Sequence, residues 1–224
     1  YAPLVSSCPL SPAPVHRPLM NQLIGAVGNG TLRGVLTPQA NQRKLIHMRG
    51  ADSFKFLQSL CTKKVMTVVE ADDAGEFCDF TSFLHNKGRV LSEALLMYRP
   101  VSKSWLIDVP SPSVQALLEH IQQYKMRNRI TVDVEEVNAT YKIWTLVASN
   151  ESNLKELSLW LLNKTSQLEI LFYQDPRLPL ALRVVAPSHL NPLSVLPPLG
   201  DIYEEDADAK FKLYDYLRNM AGVA

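Results

Sequence analysis

Side chains able to do chemistry are thinly spread in this sequence. The five histidines, His16, His47, His85, His120 and His189, stand in no spacing that would take a proton from a serine or cysteine nucleophile, so each reads as a turn or surface residue. Adjacent carboxylates at Asp72 and Asp73, and at Glu135 and Glu136, would share acid and base work only if both faced one site. Neighbours along a strand face opposite ways. A basic run, Lys125, Arg127 and Arg129, offers charge-assisted bonds to a carboxylate or phosphate, or simply answers the negative end of the helix that it closes. Cys8, Cys61 and Cys78 form no Cys-x-x-Cys pair and no Cys/His cluster, and the last two fall in periodic apolar segments, as small buried residues do. No metal held by this chain alone is expected, and a reducing compartment fits the cysteine usage.

The elements that must carry any site belong to a folded globular protein. Of 224 residues 46% are hydrophobic, and 23 Lys plus Arg balance 22 Asp plus Glu, which describes one large or two small domains. So even a balance gives no field that would argue for nucleic acid as partner. No stretch approaches the roughly 20 apolar residues of a membrane span. The first acidic residue is Asp52, behind Arg17, Arg33, Arg43, Lys44 and Arg49, and an acid-poor start of this kind suits the remnant behind an organellar transit sequence. The mitochondrial matrix is then the expected compartment.

Residues 1–30 carry Pro3, Pro9, Pro12, Pro14 and Pro18 and read as a Pro-rich tail. A first α+β domain is expected over 31–136. It has strands at 32–36 and 43–48, a short helix capped by Asp52, and a hairpin of 77–84 with 89–98. His85-Asn86-Lys87-Gly88 forms the turn, with Gly and Asn supplying positive backbone angles. Strand 105–109 leads to a helix capped by Ser111 with Pro112 in its first turn, and to strand 130–134. A second α+β domain over 137–200 repeats the pattern. It has strand 141–147, a helix from about Asn153 with Glu156 three residues on, strands 167–173 and 180–185, and a Pro-rich strap from Pro187 to Gly200. Glu204, Glu205, Asp206 and Asp208 then crowd the start of a last helix within 201–224, expected to pack on the first domain. The class is α+β, with antiparallel sheets of ferredoxin-like type carrying helices on one face. No Gly-rich phosphate loop follows any strand, so a doubly wound nucleotide fold is not expected.

Three stretches in order resemble the folate-binding superfamily that contains the glycine-cleavage T-protein and the YgfZ-type proteins. Met48 to Thr62, with Arg49-Gly50 and Phe56-Leu57-Gln58, is similar to that family's opening segment, with Lys63-Lys64 where Asn-Asp is usual. Phe83 to Leu91 is similar to its hairpin motif, with His85 in place of an Asn, and Leu117 to Val132 is similar to its central helix and strand. Asp175-Pro176-Arg177, Arg183, Gly200-Asp201, Tyr214 to Arg218 and Gly222-Val223 follow in the expected order.

The resemblance implies two interlocked α+β domains around a central channel, followed by a β-barrel that this chain lacks. Its nearest branch is the mitochondrial YgfZ-type factors, which aid four-iron four-sulfur maturation with A-type scaffold partners. Tetrahydrofolate is the cofactor it implies, with Gly88, Arg89, Glu93, Arg127, Asp175 and Arg177 as binding residues and no catalytic residue assigned. Two departures bear on activity. Ser92-Glu93 stands where the aminomethyltransferases carry Asp-Asp, and the family's Lys-Gly-Cys-Tyr segment would lie beyond the final helix. The leading expectation is an iron-sulfur maturation factor. A catalytically inactive subunit of a larger organellar complex is the alternative, and a folate-dependent aminomethyltransferase the third reading.

Overall fold

The computed structural model describes residues 25–26, 29, 33–39, 41–65, 77–128, 132–194, 196, 202–206 and 213–221. The Pro-rich tail expected over 1–30 therefore lies almost wholly outside the described residues. In chain order the elements are β1 (Gly34–Pro38), β2 (Arg43–Arg49), α1 (Ser53–Leu60), β3 (Phe77–Leu84), β4 (Val90–Arg99) and β5 (Ser104–Pro110). A 3-10 turn at Ser111–Ser113 leads into α2 (Val114–Asn128), followed by β6 (Asp133–Glu136), β7 (Tyr141–Ala148), α3 (Glu151–Leu168), β8 (Leu171–Gln174), β9 (Ala181–Pro187), β10 (Ile202–Glu204) and α4 (Leu213–Met220).

Two five-stranded sheets result, one in the order β3-β4-β5-β2-β6 and the other β10-β1-β7-β9-β8. Every pairing is antiparallel except β10, which runs parallel to β1. β1 precedes all strands of the first sheet in sequence yet pairs with β7 in the second, so the chain interlocks the two. Among the described residues neither sheet closes into a barrel.

The period-2 alternation of the strands sets the layers. On β2, β4 and β5, Ile46, Met48, Leu96, Tyr98, Trp105 and Ile107 turn outward and bury Phe56, Leu57, Leu117 and Ile121 of α1 and α2. Their neighbours Leu45, Met97 and Leu106 turn the other way and meet Ile143, Tyr173 and Val185 of the second sheet. The far face of that sheet, with Leu36, Trp144, Leu146, Leu182 and Val184, buries Leu157 and Leu161 of α3. The order of layers is helices, sheet, sheet, helix, so charged side chains on the facing strands are enclosed.

Several local expectations are corrected. In the β3–β4 turn Gly88 alone takes a positive φ, +74°, and Asn86 does not. Asp52 stands at the start of α1 with helical backbone angles and makes no side-chain cap bond. Ser111 lies inside the 3-10 turn, where Pro110 holds the N-cap position with no side-chain cap bond, and its hydroxyl donates to the carbonyl of Asn41 at 3.2 Å. α3 begins earlier than expected. Asn150 caps it by accepting from the Asn153 amide at 2.9 Å, and Glu156 pairs with Arg33 on the surface at 3.0 Å. Residues 202–204 pair as a strand before the last helix, and buried Glu205 accepts the amide of Leu213 at 2.8 Å. The sequence places that helix on the first domain. In the structure Tyr214, with partly buried Leu217, packs against Val147 and Ala181 of the second sheet and Leu178 of the β8–β9 turn, while Arg218 reaches Glu93 of the first sheet.

Candidate functional site

Between the two sheets lies a cluster of charge contributed by both sheets, the turn after β8 and α4. Arg43 from β2 meets Asp108 from β5, Nε to Oδ1 at 2.6 Å, and also donates to the backbone carbonyl of Asp108 at 2.9 Å. Its Nη1 reaches Glu93 of β4 at 3.0 Å. Arg183 from β9 lies with its Nε 3.3 Å from Asp108 Oδ2 and donates to Thr145 of β7 at 2.6 Å. The tight turn after β8 supplies Asp175, whose Oδ1 accepts the Arg177 amide at 2.9 Å and its Nε at 3.1 Å. Tyr214 from α4 closes the group by donating to Asp175 Oδ2 at 2.6 Å and accepting from Arg177 at 2.5 Å and from Arg183 at 3.0 Å.

A bulge aims Glu93. Phe83 pairs with Ser92 while Leu84 pairs with Val90, so β4 carries one extra residue there. Leu91 consequently packs on the helix face, whereas Glu93, two residues on, faces the arginines. Without the bulge both would share one face.

Four guanidinium groups, those of Arg43, Arg177, Arg183 and Arg218, answer three carboxylates, Asp108, Asp175 and Glu93. Glu93 is within 4 Å of three of them, at 3.0 Å from Arg43, 3.4 Å from Arg218 and 3.9 Å from Arg177, and its side chain is 22% exposed. Buried Arg177 Nη1 has no hydrogen-bond partner among the described residues. Burial alone would raise the Asp175 carboxyl, but Arg183, Arg177 and the Tyr214 hydroxyl outweigh it and hold the group at about 2. Burial pushes the Tyr214 phenol up to about 12 against the pull of Arg183 and Arg177. The thiol of Cys78 is also raised, first by burial and then by the neighbouring Asp175 charge. Groups held so far from neutrality stay in one protonation state, so the cluster fixes charge and shape and is poorly placed to move protons.

Of the residues expected to bind a cofactor, the structure brings together Glu93, Asp175 and Arg177. Gly88 and Arg89 sit on the exposed tip of the β3–β4 hairpin, away from the cluster along the strand. Arg127 belongs to the last turn of α2, in the layer outside the first sheet, and its side chain lies outside the described residues. Arg43, Asp108 and Thr145 were not singled out from the sequence. The available signal was a lone charge inside an apolar strand, as in Trp105-Leu106-Ile107-Asp108-Val109 and Ala181-Leu182-Arg183-Val184-Val185. A separate open cleft of about 520 Å³, lined by Pro38, Lys142, Trp144, Tyr203, Glu204 and Asp206, shares no residue with this cluster.

No family model matches the chain. The sequence is 32% identical over 96 residues to the iron-sulfur cluster assembly factor IBA57 homolog, mitochondrial, of Aspergillus oryzae, a match covering 39% of this chain and 22% of that protein. The protein of the same description from Dictyostelium discoideum is 23% identical over 155 residues, covering 60% and 37%. The one from Neurospora crassa is 30% identical over 120 residues, covering 50% and 26%. In fold the chain is similar to the glycine cleavage system aminomethyltransferase T of Bartonella henselae, with a TM-score of 0.66 at 13% identity over 90% of this chain and 55% of that one. The sequence is thus similar to the IBA57 homologues, and its fold to that of the aminomethyltransferase. The matched stretches span between 22% and 37% of the length of those IBA57 homologues.

Proposed function

We propose that this chain acts in mitochondria as a maturation factor for iron-sulfur proteins, aiding four-iron four-sulfur assembly through contact with an A-type scaffold protein. The observation that carries the reading is the likeness, over as many as 155 residues, to proteins named mitochondrial iron-sulfur cluster assembly factors. The chemistry of the inter-sheet cluster supports it. Asp175 stays ionised and Tyr214 stays protonated at neutral pH, so the enclosed cluster suits holding a shape, and its part-exposed members Glu93 and Arg218 are the charges left to meet a partner.

A tetrahydrofolate fits this chain only in part. Asp108 and Asp175 are enclosed by arginines, so Glu93, flanked by Arg43, Arg177 and Arg218, is the carboxylate that would meet a pterin edge. Arg177 Nη1 lies 3.9 Å from Glu93, too near that carboxylate to reach the anionic tail of the same molecule, so Arg177 would act at the pterin end by orienting Glu93. When bound, folate would bring one-carbon chemistry, which a maturation role does not call on.

The test mixes the purified chain with a cluster-loaded A-type scaffold and follows the complex by size exclusion with light scattering. A parallel arm supplies the chain to mitochondria depleted of their own copy and reads a four-iron four-sulfur enzyme. A stable complex and restored enzyme activity are expected. A stable complex with no recovery would identify a structural subunit, and aminomethyl transfer to tetrahydrofolate would identify a transferase.

A further inference from the structure

His85 and His120 come from different elements and meet. His85 opens the β3–β4 turn, His120 sits in the middle of α2, and their ring centroids lie 5.9 Å apart with the planes tilted by 31°. His120 is 6% exposed, against the expectation of a surface histidine, and its ring packs on Tyr124 at 4.7 Å. It also bonds to the backbone of Leu84, the last residue of β3. Its Nε2 is buried and without a hydrogen-bond partner among the described residues, so Nδ1 makes that bond.

An imidazole that donates Nδ1–H to a backbone carbonyl carries its lone pair on Nε2 and is fixed in orientation, which is the arrangement that metal-ligating histidines use. A buried acceptor left unmet is costly, so the bare Nε2 is a candidate to take a ligand. The second ring is at the right range. With metal–nitrogen bonds of about 2.0–2.1 Å, two imidazoles on one ion place their ring centroids roughly 5–6 Å apart. His85 is exposed on the turn, so its ring has room to swing onto a shared ion. No group of three or more His, Cys, Asp or Glu side chains is arranged for a metal among the described residues. The pair therefore supplies two ligands, and water or a partner's side chain would fill the rest.

We propose that His85 and His120 form a two-imidazole site for a divalent transition-metal ion of the zinc class, which ties the β3–β4 turn to α2. Imidazole nitrogens suit zinc, copper and nickel rather than magnesium or calcium, which prefer oxygen. Lys87 and Arg89, exposed on the same turn, oppose a bare cation and favour one that arrives with an anionic ligand. The inference is independent of the maturation reading and stands or falls with this pair.

The experiment titrates zinc chloride into the whole chain by calorimetry and follows the imidazole resonances by NMR. One ion is expected per chain, with both rings shifting together and the thermal midpoint rising. His85→Gln changes an exposed turn residue, so it should leave the zinc-free midpoint in place and weaken zinc by about tenfold or more. His120→Phe keeps a ring against Tyr124 and should do the same to binding. Cys61→Ser should bind as the parent chain does. The absence of a one-to-one zinc complex would overturn the proposal. So would unchanged affinity in His85→Gln, or loss of binding in Cys61→Ser alone.

Discussion

Arg183 Nε and Asp108 Oδ2 lie 3.3 Å apart across the boundary between the two sheets, and neither side chain has any exposed surface. Asp108 also holds Arg43 at 2.6 Å, so one buried carboxylate compensates two guanidinium groups on strands from different sheets. Removing it alone leaves two buried cations short of a partner, while an apolar pair in place of Asp108 and Arg183 removes one of those cations with it and leaves Arg43 only Glu93. Asp108→Asn should therefore cost about 3–5 kcal/mol in urea unfolding. Combining Asp108→Leu with Arg183→Met should cost less than the sum of the two single changes, and strict additivity in that cycle would show that the contact carries no coupling.

Acid stability should follow Asp175. Its carboxyl is held at about 2 in the folded chain against an ordinary aspartate value of 3.8, so the unfolded state binds the proton first as pH falls. The contribution is present in full above the unfolded value and is lost as pH drops from there through about 2. It is worth roughly 2 kcal/mol in total. Urea midpoints measured down this window should decline more steeply for the parent chain than for Asp175→Asn. Parallel curves would assign the acid sensitivity to other groups.

How far the sequence reveals this arrangement differs between fold and site. Alternation in Phe77 to Leu84 and Arg89 to Tyr98, with Gly88 between, marks the hairpin, because strand period and turn chemistry are both local. The lone charges of Asp108 and Arg183 are visible too, but their pairing is not, since it depends on two sheets stacking face to face. Glu93 is harder still. It keeps the parity of Met97, which faces the second sheet, but the bulge opposite Phe83 and Leu84 puts Leu91 on the other face and so hides that parity in the sequence. His120 flanks the Leu117, Ile121 and Tyr124 face by one position, and the close approach of the hairpin turn decides its burial.

Two glycines should respond differently to a methyl group. A Cβ on Gly34 would stand 2.9 Å from the carbonyl oxygen of Val147 and 3.4 Å from Leu146 Cδ1, so β1 and β7 would have to separate. Gly34→Ala should cost about 1–3 kcal/mol by overpacking. A Cβ on Gly88 meets nothing within 4 Å, and the strain comes only from its φ of +74°. Gly88→Ala should cost about 1–2 kcal/mol, and Gly88→Asn less, because Asn tolerates left-handed backbone. Thermal midpoints of the three variants check the ranking, and an equal loss for both alanines with no relief from Asn would refute it.

Cys78 lies in β3 among Leu45, Met97 and Tyr173, and its thiol is raised by burial first, with the charges of Asp175 and Asp108 adding to the effect and Arg183 and Arg177 opposing it. Burial likewise raises Cys61, whose Sγ donates to the Lys63 carbonyl at 3.4 Å. The thiolate is the reactive form, and a free cysteine titrates near 8.5, so both residues should be far less reactive than a free thiol at neutral pH. In a Cys8→Ser background the native chain should take up a thiol-exchange reagent slowly at both remaining positions and rapidly after unfolding in guanidinium. Raising the pH through the free-thiol range should speed the unfolded chain and leave Cys78 in the native chain almost unchanged. Fast modification of native Cys78 at neutral pH would mean that β3 opens often enough to expose the inter-sheet cluster, and the enclosed charge network described above would then be a minor state.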